Sequence, residues 1–273
     1  MIFLLLAIAC SVLIGNLLLI FTRDKNIDIL VIFLGNYMVA SLFSLGTSLP
    51  KGLSLNGFDI WFGVLTGLLF LSNFMAYQKN IRINGLSLSV GTMRVSIIIP
   101  ALVAVSFFAD RMSPVNIAGI VVIIMAFGYV TDIKALRNLF WLLLLFLVSG
   151  MTESTLKIYS ELGSSNQSPF LFVVFTAAGL FTLSWILIGK RQFHIKSLLY
   201  GFALGIPNQL STQFFMKSLK VIPATIAYPI LASGIVLISI LCDIFIWRKV
   251  FTLRQRIALG MLVAGVVLIN FSR

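Results

Sequence analysis

The sequence predicts an all-α integral membrane protein of ten transmembrane helices, arranged as two inverted five-helix repeats. Three observations predict this class: 60% of the 273 residues are hydrophobic, only 10% are charged, and the mean hydropathy is +1.09. A soluble domain of this size needs more polar residues to cover its surface. The apolar runs are continuous and not alternating, which excludes barrel strands and favours helices.

Ten apolar runs lie between charged or turn-rich breaks, and most reach the roughly 20 residues that a helix needs to cross the hydrocarbon layer. In chain order they are 2–21, 29–48, 59–77, 85–107, 115–131, 139–160, 169–188, 197–215, 223–246 and 257–271. The fifth and the tenth are short. Cys10 and Cys242 both lie within these runs, so we expect core cysteines and no structural disulfide.

The net charge of +12 comes mainly from short loops, with no basic face or tail of the kind that binds nucleic acid. Loops after odd-numbered runs carry thirteen Lys and Arg residues, and the other side carries six. Because basic loops resist translocation, this bias predicts that both termini face outward. The first run lacks a basic n-region and a clear cleavage site, so we expect a span and not a signal peptide.

The two halves of the chain resemble each other at an offset of about 138–140 residues. Segment 82–130 parallels 220–270, and the opening FLLLAIACSVLIGN parallels FWLLLLFLVSGMTES. Because each repeat holds an odd number of helices, consecutive repeats insert in opposite orientations, and substrate is expected near mid-depth between them. We therefore predict repeats at 1–133 and 138–273. A duplicated scaffold or assembly factor without transport is the alternative.

The ten runs, together with PATIAYPILASGIVLISIL and LRQRIALGMLVAGVVLIN, resemble the EamA-type branch of the drug/metabolite transporter superfamily. The resemblance covers essentially the whole chain and implies a ten-helix carrier of the cell (inner) membrane. It also implies cytoplasmic termini, the opposite of the charge bias. Members usually have an acidic residue before the last helix of each repeat. Asp110 in FADRMSP partly keeps this pattern, whereas Arg248 and Lys249 in IWRKVFT do not.

Arg94 is the most informative single side chain because it lies near the middle of the fourth apolar run. A charge at the bilayer centre costs at least about 2.5–3.5 kcal/mol on insertion scales, so it is expected to face protein or a water-filled cavity. It either binds the carboxylate or phosphate of a substrate or pairs permanently with a carboxylate such as Glu153. The repeat places Ser233 at the equivalent position, so the site is expected to be asymmetric.

Glu153 lies in the sixth run, and Lys157 follows four residues later on the same helix face. This spacing allows an ion pair, which near the outer boundary of the membrane is structural. Alternatively, Glu153 is a proton-coupling carboxylate that burial and the nearby cations tune. Both interpretations stay open at the level of sequence.

Polar side chains recur at helical spacing in the third and eighth runs, and the first run adds an amide. Isolated amides within a membrane often only join helices, with about 0.6–2 kcal/mol each. A strip on equivalent helices of both repeats fits the lining of a substrate cavity better. We therefore predict a substrate-binding set that joins Arg94 with Asn16, Asn73, Tyr77, Asn208, Gln209, Thr212 and Gln213.

The ninth run contains a candidate hinge in the sequence AYPILASG. Pro229 removes a backbone donor inside the run, and Ser233 and Gly234 follow about one helical turn later. We predict local flexing at these three residues. Pro223, at the start of the same run, fits an ordinary helix start.

These patterns predict a secondary transporter that moves a small metabolite by alternating access, with export as the expected direction. An amino acid or related carboxylated compound is the expected substrate, chiefly through the resemblance. A phosphosugar or nucleotide-sugar exchanger is the alternative within transport, although a polyphosphate needs more cavity cations than Arg94. A non-transporting membrane scaffold or partner subunit is the alternative from another class.

The sequence shows no Walker-type glycine loop, zincin His pair or nucleophile elbow. We therefore expect no enzymatic activity, no cofactor and no metal site. The expected partners are a small-molecule substrate and the lipid bilayer, without nucleic acid, and a homodimer stays open.

Overall fold

The computed structural model describes residues 1–21, 24, 27–84, 89, 92–93, 95–130, 138–246, 248 and 252–271. This part of the chain contains ten α-helices and no β-strand, so the predicted all-α class is confirmed for it. The helices are α1 (Ile2–Phe21), α2 (Ile29–Ser48), α3 (Gly57–Asn84), α4 (Ile98–Phe108), α5 (Pro114–Val130), α6 (Leu139–Leu162), α7 (Ser168–Ile188), α8 (Ile195–Leu219), α9 (Ala224–Phe245) and α10 (Leu253–Phe271).

Five of the described helices are long and apolar enough to cross a membrane, namely α1, α2, α3 as far as Asn80, α6 and α7. Shorter apolar helical segments lie in α4, α5, α9 and α10. Many large apolar side chains are exposed on these helices, among them Leu42, Phe107 and Ile188. Exposed apolar helices with internally bonded backbones suit a lipid environment.

The fourth predicted run, 85–107, is not described as one continuous helix. Residues 85–88, 90, 91 and 94 lie outside the described part, and the chain turns at Ser96 and Ile97 before α4 begins at Ile98. Pro100 explains the turn, because proline has no N–H to donate to the carbonyl of Ser96 and is tolerated in a first helical turn. That carbonyl instead accepts the N–H of Ile99 at 3.0 Å.

The described chain packs as two compact units, and residues 2–71 with 158–217 form one of them. In this unit α2 packs along α7 and against α8. Gly35 of α2 and Gly201 of α8 are so close that a Cβ on Gly201 would collide with backbone atoms of α2. The hydroxyls of Ser41 and Thr176 share a hydrogen bond of 2.6 Å between α2 and α7. Small residues and paired hydroxyls therefore hold these helices together.

Residues 72–157 and 218–273, with the first residue, form the other unit. Here α5 packs along α10, and α9 packs against α4, α5 and α10. Amide side chains join α3 to α6: Asn80 Nδ2 donates to the carbonyl of Trp141 at 2.6 Å, and Asn84 Nδ2 donates to that of Asn138 at 2.9 Å. Because the residue number rises along α3 and falls along α6 between these two pairs, the two helices are antiparallel.

Each compact unit combines segments from both predicted repeats, 1–133 and 138–273. The units reflect packing in space, whereas the repeats reflect similarity in sequence. The division into two repeats therefore stays a prediction.

Candidate functional site

Arg94, on which the sequence argument depended most, lies outside the described residues. Its contact with a substrate anion or with Glu153 stays a prediction. The other predicted site residues lie within the described part of the chain, on α1, α3, α6, α8 and α9.

The polar strip on α8 is partly engaged within its own unit. Thr212 Oγ1 donates to the backbone carbonyl of Asn208 at 3.1 Å, a bond that satisfies the hydroxyl locally. Gln213 Nε2 donates to Ser168 Oγ at 3.2 Å and so joins α8 to the start of α7. The side chain of Asn208 is half-buried. Gln213 therefore serves helix packing, and Asn208 is more accessible to a ligand.

Gln209 differs from its neighbours on α8. It is fully buried, and neither its amide nitrogen nor its amide oxygen has a hydrogen-bond partner among the described residues. A buried polar group left without a partner costs about 1–3 kcal/mol. Asn36 of α2, in the same unit, adds a buried amide oxygen in the same condition. A ligand that offers both a donor and an acceptor would satisfy Gln209.

On α3, Asn73 is held by Ser149 of α6, whose Oγ donates to Asn73 Oδ1 at 2.6 Å. Tyr77 lies one helical turn later and is half-buried. Asn73 lies in a row of asparagines on α3 with Asn80 and Asn84, whose side chains bond to backbone carbonyls at the start of α6. Asn73 therefore contributes to helix packing, and its amide nitrogen is the group that a ligand can still engage.

Asn16 is half-buried on α1, and its Nδ2 donates to the carbonyl of Val12 in its own helix at 2.9 Å. The contact between α1 and α8 is made by serines that the sequence analysis did not select. The hydroxyls of Ser11 and Ser211 are 2.7 Å apart, and Ser211 also bonds to the backbone of α1. The structure thus brings α1 to the polar strip of α8 by these serines, whereas Asn16 bonds back to its own helix.

The ion pair that the structure shows for Lys157 is with Asp110, a partner that the spacing to Glu153 did not indicate. Lys157 Nζ lies 3.3 Å from Asp110 Oδ1, and the two side chains are 1% and 13% exposed. The other carboxylate oxygen accepts the N–H of Ala224, the first residue of α9, at 2.7 Å. Lys157 Nζ also lies 5.6 Å from the ring centroid of Phe108. Asp110 therefore joins α6 to the amino end of α9, where the helix dipole favours negative charge.

Glu153 is half-buried on α6. Its backbone carbonyl accepts the hydroxyl of Tyr228, a buried residue of α9, at 2.5 Å. This bond is a second point at which the amino-terminal part of α9 contacts α6. The proton-coupling role of the Glu153 carboxylate stays a prediction.

The predicted hinge lies in α9, which is helical through Pro229. Ser233 Oγ donates to the carbonyl of Pro229 at 2.7 Å, and Gly234 is half-buried beside it. Pro229 has no N–H, so the carbonyl of Thr225 lacks its usual helical partner. The helix is therefore weakened at this turn without being unwound, and the flexing of these residues stays a prediction.

A buried carboxylate that the sequence analysis did not select lies in the first turn of α3. Asp59 accepts the hydroxyl of Tyr159 at 2.7 Å and the N–H of Asn56 at 3.2 Å, while Asn56 Oδ1 accepts the N–H of Asp59. These reciprocal bonds resemble a capping box, whose signal is readable as Asn and then Asp three residues later before an apolar run. The Tyr159 hydroxyl also lies 3.1 Å from that of Ser164.

A groove of about 510 Å³ lies between α2 and α7, in the unit formed by residues 2–71 and 158–217. None of the predicted site residues lines it. The Ser41 and Thr176 hydroxyls in its lining are bonded to each other, and most of the remaining lining is aliphatic or aromatic. The groove therefore suits an apolar chain better than a charged metabolite.

Among the described residues, no group of three or more His, Cys, Asp or Glu side chains could hold a metal ion. Cys10 and Cys242 are both free and half-buried.

Comparisons with known proteins show what this chain is similar to. Residues 140–271 match the EamA-like transporter family. An uncharacterized protein of Haemophilus influenzae is 26% identical over 229 residues, which cover 79% of this chain and 78% of that protein. A crystal structure of a protein with 11% identity has a TM-score of 0.79 and covers 99% of each chain, which shows a shared fold. The resemblance suspected from the sequence is thereby confirmed for residues 140–271, which match an EamA-like transporter model, and the apolar helices support a multi-pass membrane protein.

Proposed function

We propose that this protein is a secondary transporter that exports a small metabolite by alternating access. The observation that carries this proposal is the match of residues 140–271 to a transporter family, in a chain with five described helices that are long and apolar enough to cross a membrane. We place it in the cell (inner) membrane. The charge bias of the loops favours external termini, and the family resemblance favours cytoplasmic ones. We include a homodimer of this chain as the proposed assembly.

Contacts inside one unit support an inverted repeat. The offset of about 139 residues maps Tyr37 onto Thr176 and Ser41 onto Leu180. Ser41 bonds to Thr176, while a Cβ on Gly179 would lie 3.5 Å from Tyr37 Cβ. As residue numbers rise along α2 they fall along α7, so these equivalent helices cross in opposite directions about a local two-fold. Such a crossing is the arrangement expected of two repeats inserted in opposite orientations.

The described cations favour a carboxylated metabolite over a sugar phosphate or nucleotide sugar. A polyphosphate needs several cations, and Lys157 and Lys217 are two described cations that could add to Arg94 by turning inward. Lys157 is buried and paired with Asp110. Lys217 Nζ lies 5.5 Å from the ring centroid of Phe3 and 6.0 Å from that of Phe214. We therefore propose that the guanidinium of Arg94 binds the single carboxylate of the substrate. Asn208, Gln209 and the amide nitrogen of Asn73 would then form hydrogen bonds with the rest of the substrate.

Proteoliposomes test this proposal. Purified protein is reconstituted, separate batches are loaded with unlabelled amino acids, sugar phosphates or nucleotide sugars, and each batch is assayed for counterflow of the radiolabelled compounds of its own class. We expect saturable counterflow of an amino acid or related carboxylate. A flat response across all three classes would favour a membrane scaffold or partner subunit, and counterflow of a sugar phosphate would favour the exchanger.

Two variants locate the function in the proposed residues. Arg94→Ala is expected to weaken transport of anionic substrates and to spare cationic ones, whereas Arg248→Ala, which removes an exposed cation, is the matched control. Equal loss of both substrate types would indicate that Arg94 has a structural role. Glu153→Gln is expected to abolish pH-driven transport while binding is kept, and an unchanged pH dependence would remove Glu153 from the coupling step.

A further inference from the structure

We propose that the groove between α2 and α7 binds one anionic phospholipid. An acyl chain occupies the groove, and the headgroup phosphate lies at Lys190 and Arg191 in the loop after α7. This lipid site is separate from the proposed transport site, because none of the residues assigned to substrate lines the groove.

The groove has the size and lining that an acyl chain requires. Its volume of about 510 Å³ lies within the range of about 300–1,000 Å³ typical of small-ligand sites. Leu34 and Phe175 form part of its buried wall, while Leu42, Leu180 and Phe193 are exposed. A straight hydrocarbon chain can cover such a wall without leaving a polar group unsatisfied.

Positive charge stands at one end of the groove. Phe193 and Leu198 line this end, and Lys190 and Arg191 lie two or three residues before Phe193. Both cations are exposed, and within the described chain neither has a carboxylate partner. Lys196 in the same region is different, because its Nζ lies 2.6 Å from Asp24 Oδ2. Two uncommitted cations beside an apolar groove match a phosphate joined to an acyl chain.

The backbone supports a functional reason for Lys190. The N–H of Arg191 bonds to the carbonyl of Ile186 at 3.1 Å, and that of Lys190 bonds to Leu187 at 3.2 Å. This is a Schellman ending of α7, with Lys190 at the position that usually holds glycine. Lys190 has φ +46, a left-handed conformation that costs a non-glycine residue free energy. This cost at a non-glycine residue, directly after Gly189, points to a use for the charge of Lys190.

Charge also argues against a second copy of this chain as the occupant. The chain has 20 basic and only 8 acidic residues, so another copy offers few carboxylates for Lys190 and Arg191. An anionic phospholipid offers a phosphate at the depth where helices end and an acyl chain beyond it. Chemistry therefore favours the lipid over the protein occupant.

Native mass spectrometry of the full chain in detergent tests the site. The protein is supplied with equimolar phosphatidylglycerol and phosphatidylcholine that carry identical acyl chains. We expect one phosphatidylglycerol retained in preference to phosphatidylcholine. Lys190→Gln with Arg191→Gln is expected to reduce this preference by about five-fold for each charge removed. Arg248→Gln is the matched control, because Arg248 is also exposed and left-handed, with φ +51.

A second pair of variants tests the groove itself. A Cβ on Gly179 would meet only Tyr37, at the ordinary distance of 3.5 Å, so Gly179→Leu can extend into the groove and displace the chain. Gly128→Leu adds the same side chain at an exposed glycine with no neighbour within 4 Å among the described residues. We expect Gly179→Leu to lose the retained lipid and Gly128→Leu to keep it.

Three results would overturn the lipid site. Equal retention of both lipids would mean that lipid around this protein is unselective. A preference for phosphatidylglycerol that survives both the charge variant and Gly179→Leu would place the lipid elsewhere. A dimer signal that Gly179→Leu removes, without any retained lipid, would make a second copy the occupant. None of these measurements depends on transport activity, so a failure of the lipid-site proposal can be distinguished from a failure of the transport proposal.

Discussion

Replacing Asp110 by Asn separates charge from capping in the contact that joins α6 to α9. Asn keeps an oxygen that can accept the N–H of Ala224, so the cap of α9 is preserved. The carboxylate charge is lost, so the ammonium of Lys157, which is 1% exposed, no longer faces the anion of Asp110. The variant therefore isolates the ion pair.

Removing one partner of a buried ion pair typically costs about 3–5 kcal/mol, because the other charge stays desolvated. Asp110 is 13% exposed and Lys157 is nearly inaccessible, so the desolvation cost of an uncompensated charge is larger for Lys157. The reverse variant, Lys157→Met, leaves Asp110 near water, bonded to Ala224 and favoured by the dipole of α9. We therefore expect Asp110→Asn to destabilise the protein much more than Lys157→Met does.

Thermal unfolding in detergent measures the difference. At about 2–4 °C per kcal/mol for a domain of this size, Asp110→Asn is expected to lower Tm by about 10 °C. The double variant removes both charges and is expected to recover most of that loss, which a double-mutant cycle reports as coupling. Losses that add without coupling, or a larger loss in Lys157→Met, would refute the claim that the buried ammonium determines the cost.

Three further predictions concern packing and charge. Gln209→Met replaces an unpartnered buried amide with an apolar side chain, so we expect the free energy of unfolding to rise by about 1–3 kcal/mol while counterflow falls. Gly201→Ala places a Cβ against the backbone of α2, so we expect Tm to fall, whereas Gly260→Ala, with no neighbour within 4 Å among the described residues, is expected to be neutral or stabilising. The hydrogen bond to Asp24 raises the pKa of Lys196 above its ordinary value of 10.5, so this pair stabilises the fold below that pH and its contribution is lost as the pH rises through the folded-state value. Because Lys196 is exposed, Asp24→Asn is expected to lower Tm slightly and less in 1 M salt, and a loss that salt does not reduce would contradict a surface pair.

Hydropathy predicted helix bounds well where an apolar run ends at charged or turn-forming residues. The predicted runs 2–21 and 29–48 coincide with α1 and α2. Hydropathy misplaced a helix end where polar side chains are hydrogen-bonded to another helix. α3 continues past the predicted end at residue 77 to Asn84, because Asn80 and Asn84 find carbonyl partners at the start of α6. A window average treats such amides as the end of a span, although their bonds stabilise the helix.

The candidate site was less readable, because its partners are distant in sequence. Helical spacing indicated Glu153 as a partner of Lys157, which stays a prediction, but it could not indicate the observed ion pair of Lys157 with Asp110, 47 residues away. The sequence selected both Gln209 and Gln213 as one polar strip. Only packing distinguishes them, since Gln213 bonds to Ser168 and Gln209 has no partner among the described residues. Composition can place an amide on a helix face, but whether a partner meets it depends on neighbouring helices.

The contacts of α9 with α6 and with the loop before α5 share a feature that bears on the hinge. The N–H of Ala224, the hydroxyl of Tyr228 and the Thr225 hydroxyl all bond outside α9, and all three precede Pro229. If α9 flexes at Pro229, Asp110→Ala, which removes the acceptor of the Ala224 N–H, should increase hydrogen exchange at amides 224–228 and leave those after residue 233 protected. If α9 instead moves as one rigid helix, protection should fall along its whole length. The second result would remove the hinge from Pro229, because a helix that loosens uniformly has no weak turn to bend at.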